Sequence, residues 1–113
     1  MSDLVVSDAS RAAVTVMAKT VTSDLAPFGI TDNNIAPGPI LTDRLRDLHA
    51  ARAATQRGMS LDEQLGAFGQ TIPARRLGEP EEVGKLCAFL RSVHAGFLTG
   101  QSIVVGGGTH RGI

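Results

Sequence analysis

The chain has no tryptophan, no tyrosine, four phenylalanines and one cysteine in 113 residues. Each scarcity excludes something. A lone Cys87 cannot form an internal disulfide, and a chain without one fits a reducing, cytoplasmic setting. With so few aromatics, a core must be built from Ala, Val, Leu and Ile, the usual composition where helices cover a parallel sheet. Charge of one sign is also missing: Lys+Arg and Asp+Glu are balanced at 11 each. No basic field therefore points to nucleic acid or to an anionic membrane. No apolar run approaches the ~20 residues of a membrane span. The opening Met1-Ser2-Asp3-Leu4 lacks the basic region and the apolar stretch of a secretory signal. The length allows one small domain and not two.

What is present reads as alternating helix and strand. Ser7 or Asp8 can cap a helix reaching about Leu25, with Val14, Met17, Val21 and Leu25 at helical spacing as its apolar stripe. Ala26-Pro27-Phe28-Gly29 ends it, because Pro cannot continue the ladder and Gly tolerates the turn. Ile30 to Ala36 reads as a short strand stopped by Pro37-Gly38-Pro39. From Thr42 the pattern is helical again, with Leu41, Leu45 and Leu48 on one face. Thr42 itself is a natural cap for that helix. Ser60-Leu61-Asp62-Glu63 has the spacing of a capping box, followed by Leu65 and Phe68. Pro80 occupies the first position of a last helix, whose apolar face is Val83, Leu86, Cys87 and Leu90. Ser102-Ile103-Val104-Val105 is a β-branched run of the kind found in buried strands. A Gly-rich tail from Gly106 follows.

The expected fold is therefore α/β. Strand, crossover helix, strand is the parallel βαβ unit, right-handed by rule. Two parallel strands with unpaired edges make a poor free-standing sheet, so the chain reads as the back half of a larger domain. A strand that ends on a Pro-Gly turn and hands over to a helix presents a ligand at its carboxyl end, as nucleotide-binding sheets do. Other site classes find little support. His49, His94, His110 and Cys87 have no metal-ligand spacing, so no metal site is expected. Ser7 lies in no nucleophile elbow, and Arg75-Arg76 is too short for a nucleic-acid patch.

Several segments, in order, resemble the C-terminal half of the short-chain dehydrogenase/reductases. Ser7-Asp8-Ala9-Ser10-Arg11-Ala12-Ala13 is similar to that family's Tyr-Ser-Ala-Ser-Lys-Ala-Ala. Asn33 to Thr42 resembles its last cofactor-facing strand and Pro-Gly loop. Ile72-Pro73, Arg76 and Gly78-Glu79-Pro80-Glu81-Glu82-Val83 resemble the entry to its last helix. Phe97-Leu98-Thr99-Gly100-Gln101 with Val104-Val105 and Gly107-Gly108 resemble its last strand. The resemblance implies the C-terminal part of a Rossmann-like, doubly wound parallel sheet, with about two strands and flanking helices, over residues 1–113. Residues 42–72 would be the helical segment facing substrate.

The activity implied is hydride transfer between NAD or NADP and a small carbonyl or alcohol. The register places Ser7 at the family's catalytic Tyr and Arg11 at its Lys. A Ser hydroxyl is a far weaker acid than a phenol, and Arg11 is permanently charged and fork-shaped where Lys is a compact ammonium. The alternative for this pair is a helix cap and a solvated first-turn residue. By resemblance, Pro37, Gly38, Ile40 and Thr42 contact the nicotinamide, Ile40 through backbone and Thr42 through its side chain, with Pro37-Gly38 leaving room for the ring. Two further departures are Asp32, where the family usually has Val, and Gly106, where it often has Asp. No Gly-x-x-x-Gly-x-Gly phosphate turn is present. The chain thus reads as a partial oxidoreductase, inactive alone. It would pair as a homo-oligomer or with a missing N-terminal half. The competing reading is a non-catalytic assembly module or relic that pairs with itself or with a full-length relative.

Overall fold

The computed structural model describes residues 2–55 and 58–110, with side chains described from residue 9 onward except that of Thr55. The element order is α1 (Ser2–Leu25), a 3-10 turn (Ala26–Phe28), β1 (Asn34–Pro37), α2 (Asp43–Thr55), α3 (Leu61–Gln70), α4 (Pro80–Leu90), a second 3-10 turn (Val93–Ala95) and β2 (Ser102–Val105). The strands β1 and β2 form a two-stranded sheet. Asn34 N–H donates to the Gln101 carbonyl at 2.7 Å, and Gly38 N–H donates to the Val105 carbonyl at 2.9 Å. Both strands advance together between these two bonds, so the sheet is parallel, as the sequence led us to expect. No helix among the described residues is long and apolar enough to cross a membrane.

Contacts divide the chain into two compact units, Met1–Ile35 with Leu86–Ile103 and Ala36–Lys85 with Val104–Ile113. In the first unit, α1 starts earlier than the Ser7/Asp8 cap predicted, at Ser2. No Gly or Pro precedes Ser7, so a helix once nucleated propagates back through it. The face that α1 buries also differs. Ala18 is buried and Thr15, Thr22 and Leu25 are half-buried, whereas Val14, Met17 and Val21 of the predicted stripe are exposed. Small residues allow close approach: a Cβ built on Gly100 would lie 3.3 Å from Thr22 Cγ2. The Thr hydroxyls on this helix are satisfied locally. Thr15 donates to the Arg11 carbonyl at 3.0 Å and Thr22 to the Ala18 carbonyl at 2.9 Å. Gly29, at φ 72°, closes the 3-10 turn with its N–H on the Ala26 carbonyl. That left-handed conformation is costly for residues with a Cβ.

The first strand is shorter than predicted. Residues 30–33 precede it and are held by one backbone bond from Gly100 N–H to the Asp32 carbonyl at 2.6 Å, one from Ile30 N–H to the Leu25 carbonyl at 3.4 Å, and several side-chain bonds. Asp32 N–H donates to Thr99 Oγ1, Asn33 Nδ2 donates to the Leu98 carbonyl, and Gln101 N–H donates to Asn33 Oδ1. Asp32 therefore stands before the strand and half-exposed, where a carboxylate keeps much of its hydration. Val104 in β2 is likewise exposed, and β2 alternates exposed and half-buried positions. It is not the fully buried strand its composition predicted.

In the second unit the capping box at Ser60 is present as predicted. Glu63 N–H donates to Ser60 Oγ, and Ser60 N–H donates to Glu63 Oε2 at 2.7 Å. Leu65 and Gln64 are buried on α3 and Ile72 just beyond it. On α2 the inward face is shifted by one residue: Leu48 is exposed and His49 is buried in its place. The His49 ring lies 4.8 Å from the Phe68 ring at 31°, a tilted aromatic contact within the favourable range. Leu45, His49 and Ala53 follow one another at intervals of four, a better helical row than 41–45–48. Pro80 begins α4 as predicted; Val83, Leu86 and Leu90 are half-buried, and Cys87 is exposed.

Candidate cofactor loop and its supports

The loop from Pro37 to Thr42 lies within the second unit, and backbone bonds hold it at several points. Gly38 is tied to β2 by its bond to Val105. Its missing side chain serves packing, since a Cβ there would lie 2.6 Å from the Gly106 Cα. The Gly106 backbone of the other strand end occupies the side on which a Gly38 side chain would stand. Gly106 explains itself by the same contact, because it approaches Gly38 where the family often carries Asp.

Beyond Gly38 a parallel bridge joins Ile40 to Gly78. Gly78 N–H donates to the Pro39 carbonyl at 3.0 Å, and Leu41 N–H donates to the Gly78 carbonyl at 2.8 Å. This pattern turns the N–H of Ile40 away from Gly78, and among the described residues that N–H makes no hydrogen bond. The Ile40 carbonyl accepts from Thr42 N–H at 2.9 Å and has a second lone pair to offer. Thr42 does cap α2: its Oγ1 accepts from Leu45 N–H at 3.4 Å, a long bond, and its carbonyl accepts from Arg46 N–H at 3.0 Å. The hydroxyl proton of Thr42 remains available. One donor, one acceptor and one hydroxyl thus sit within three residues. A primary carboxamide such as that of nicotinamide requires that set, and these residues fit it.

Beneath the loop is a cavity of about 160 Å³, lined in part by Ile40, Ile72, Val105, Gly107, Arg76 and Glu82. Arg76 meets Glu82 through both guanidinium nitrogens, at 2.7 and 2.6 Å. Glu82 Oε2 also accepts from Glu79 N–H at 2.8 Å, at the start of α4. The hydrogen bonds from Arg76 first, and the one from Glu79 N–H second, hold the Glu82 carboxyl down at about 2. Arg76 is pushed up from its ordinary value by the same pair. Gly107 accepts from Ala74 N–H at 3.0 Å, which ties the tail to the 72–76 turn. The sequence reading did not single out Gly78 or the Arg76–Glu82 pair as supports. The signal was there in Glu79-Pro80-Glu81-Glu82, where an acid three residues inside a helix start can fold back on the backbone.

The other predicted pair lies in the first unit. Arg11 is on α1 and exposed. Ser7 is helical in its backbone, and its side chain lies outside the described residues, so its contacts do not enter. His94 and His110 are exposed and His49 is buried. Among the described residues no three His, Cys, Asp or Glu side chains gather as a metal would need.

Known proteins resemble this chain over most of its length. A family model described as enoyl-(acyl carrier protein) reductase matches residues 1–110. The 3-oxoacyl-(acyl-carrier-protein) reductase FabG of Vibrio cholerae is 35% identical over 102 residues, which are 90% of this chain and 37% of that protein. L-sorbose reductase from Gluconobacter frateurii, solved with NADPH and L-sorbose, matches with a TM-score of 0.86 at 25% identity, over 93% of this chain and 40% of that one. A short chain oxidoreductase from Pseudomonas aeruginosa PAO1, described as containing an atypical catalytic center, matches with a TM-score of 0.80 at 28% identity, over 93% and 40%. The chain belongs to the short-chain dehydrogenase/reductase family, whose cofactor is NAD(P) and whose fold is Rossmann-like. It spans well under half the length of these relatives.

Proposed function

We propose that residues 37–42 hold the nicotinamide end of NAD(P), and that the chain contributes this half-site to oxidoreduction of a small carbonyl or alcohol that it does not carry out alone. The observation that carries the reading is the unpartnered Ile40 N–H, fixed by the Gly78 bridge beside the Thr42 hydroxyl. When bound, NAD(P) supplies or accepts the hydride. Ile40 N–H and its carbonyl provide the donor and acceptor for the carboxamide. The Thr42 hydroxyl accepts from Leu45 N–H and keeps its own proton to donate. Arg11 stands at the family's ribose-binding position, and its guanidinium can hydrogen-bond ribose hydroxyls. Ser7 stands at the acid position with a hydroxyl that gives up a proton far less readily than a phenol. This pair is the reason to expect no turnover from the chain by itself, and the relative with an atypical catalytic center supports such departures being tolerated in the family.

Titration with NADH and NADPH, followed by nucleotide fluorescence and protein melting together, tests the loop. Saturable binding that raises the melting temperature is expected, and Thr42→Ala should weaken it by about tenfold, the worth of one hydrogen bond. No binding at millimolar nucleotide would sink the proposal; unchanged affinity in the variant would remove Thr42 from it.

A second reading, assembly with another copy or with a longer relative, is favoured by the apolar side chains left open. Val14, Met17 and Val21 share one face of α1, with Met17 60% exposed, and Phe97 is fully exposed. A contiguous face of this kind is what association buries. Met17→Glu and Val104→Glu should each lower the mass measured by light scattering. A mass unaffected by both would end this reading.

A further inference from the structure

A groove of about 350 Å³ in the second unit is not part of the loop site. Its apolar walls are Leu41, Leu65 and Leu77, and Gly66 and Gly69 contribute no side chain. Three arginines line it, Arg46, Arg75 and Arg76, against a single acidic residue, Asp62. Two of the three are already engaged. Arg76 is held by Glu82. Arg75 Nη1 donates to the Gln70 carbonyl at 2.8 Å, which fixes its side chain against the end of α3. To reach this position Arg75 adopts φ 58°, the only positive value among the described residues other than glycine, a conformation costly for a residue with a Cβ. The Arg46 guanidinium has no partner among the described residues.

We propose that this groove binds an elongated amphiphilic anion, its apolar part on the leucines and its charged head on Arg46, and that this is the tail of the substrate whose carbonyl or alcohol meets the nicotinamide held at the loop. The inference rests on the proposed function above and narrows it to substrates carrying an anionic handle. Continuity supports it: Leu41, a wall of the groove, follows Ile40 directly in the loop. The chemistry also discriminates. No aromatic side chain lines the groove, so stacking of a nucleobase has no platform. A bare inorganic anion would leave three leucines unused, and a neutral lipid would leave Arg46 unpaired. A planar guanidinium recognises a carboxylate or phosphate head through two parallel hydrogen bonds, which makes it more than a point charge.

The test uses n-hexyl phosphate as probe, titrated into the whole chain at low salt by calorimetry, with inorganic phosphate and hexanol as the two half-ligands. Saturable binding of hexyl phosphate is expected, at least about tenfold tighter than either half. Arg46→Ala should weaken it by about tenfold and Arg46→Lys by less. Arg46 is exposed and outside the loop, so its replacement should leave both the melting curve and NADH affinity unchanged. If Arg46→Ala binds hexyl phosphate as well as the parent does, or if hexanol binds equally well, the proposal is overturned. A failure of NADH to bind would instead count against the loop reading, since the groove is probed without nucleotide.

Discussion

The loop at Pro37–Thr42 and the helix carrying Ser7 and Arg11 bear two halves of one resemblance, yet they are held in different ways. The loop is fixed from inside its own unit: Gly38 by Val105 and Gly106, Pro39 and Leu41 by Gly78, and Gly107 by Ala74. Its donor, acceptor and hydroxyl are positioned by backbone, which changes of side chain elsewhere cannot easily move. The helix α1 buries only a narrow row of small residues and leaves Val14, Met17 and Val21 in solvent. Its residue pair departs from the family in both chemistry and charge. The contrast teaches that a loop can be positioned by bonds within its own unit while an acid–base pair depends on surroundings. A preorganised backbone costs nothing further at the moment of binding, whereas a shifted acidity needs neighbours.

The largest effect should come from breaking the loop's own support. Gly38→Val places a Cβ where the Gly106 backbone already lies, 2.6 Å from its Cα. Backbone on both sides cannot yield as a flexible side chain would. A loss of about 3 kcal/mol or more is expected in denaturant unfolding, with nucleotide binding abolished. Gly66→Ala is the matched control, since a Cβ there meets nothing within 4 Å; alanine in an exposed helix should be neutral or gain up to about 1 kcal/mol. If the two variants unfolded alike, the loop would not owe its position to the Gly38–Gly106 approach.

How much of this was legible before any coordinates depends on the kind of signal. Features that local chemistry dictates were readable: the Ser60–Glu63 box, Pro80 at a helix start, the Pro-Gly stop after β1, and the parallel pairing implied by a helical crossover. Features decided by what packs against what were not. The face of α1 was misread because Val14, Met17 and Val21 are the most apolar row, while the row that is buried, Thr15–Ala18–Thr22–Leu25, includes the small residue Thr22 that Gly100 approaches closely. His49 was missed as a core residue because an imidazole does not count as apolar, although its ring packs on Phe68. Residues 30–33 look like strand in sequence, yet side-chain bonds of Asn33 and Thr99, which no periodicity reveals, share in holding them. Thr42 and Ile40 were singled out through the resemblance alone. The close approach of Gly38 to Gly106 is a packing feature that the sequence did not signal.

An intermediate effect is expected at the start of α3, where the second unit relies on a local device and not on tertiary contact. Ser60→Ala removes the acceptor for Glu63 N–H and the hydroxyl donor to the Glu63 carboxylate, and keeps the Ser60 backbone N–H, which is the chief reason this carboxyl lies below its ordinary range. The loss should be about 1 kcal/mol, seen locally as faster amide exchange near residues 61–64, with nucleotide affinity intact. Weaker binding together with the lost cap would mean that α3 supports the loop more directly than the bonds through Gly78 imply.

The smallest effect tests the ion pair at the loop's base. Arg76 and Glu82 are 59% and 38% exposed, so water screens them and their worth at neutral pH is modest. Their signature is therefore a slope against pH. Glu82 in the folded chain is held at about 2, while in the unfolded chain it titrates near 4.3. A depressed folded value means that the stabilisation is fully present above the unfolded value and disappears as pH falls from about 5 toward 2. Glu82→Gln keeps an acceptor for Glu79 N–H but has no proton to take up, so its melting temperature should fall less steeply over that interval than the parent's. The Glu63 carboxyl adds a parallel contribution of the same sign, and Ser60→Ala together with Glu82→Gln should flatten the acid limb further than either change alone. An acid limb identical in parent and Glu82→Gln would show that the pair under the loop contributes nothing to holding it. The fixed geometry of Ile40 and Thr42 would then rest on the Gly78 bridge and the Gly38–Gly106 contact without help from charge.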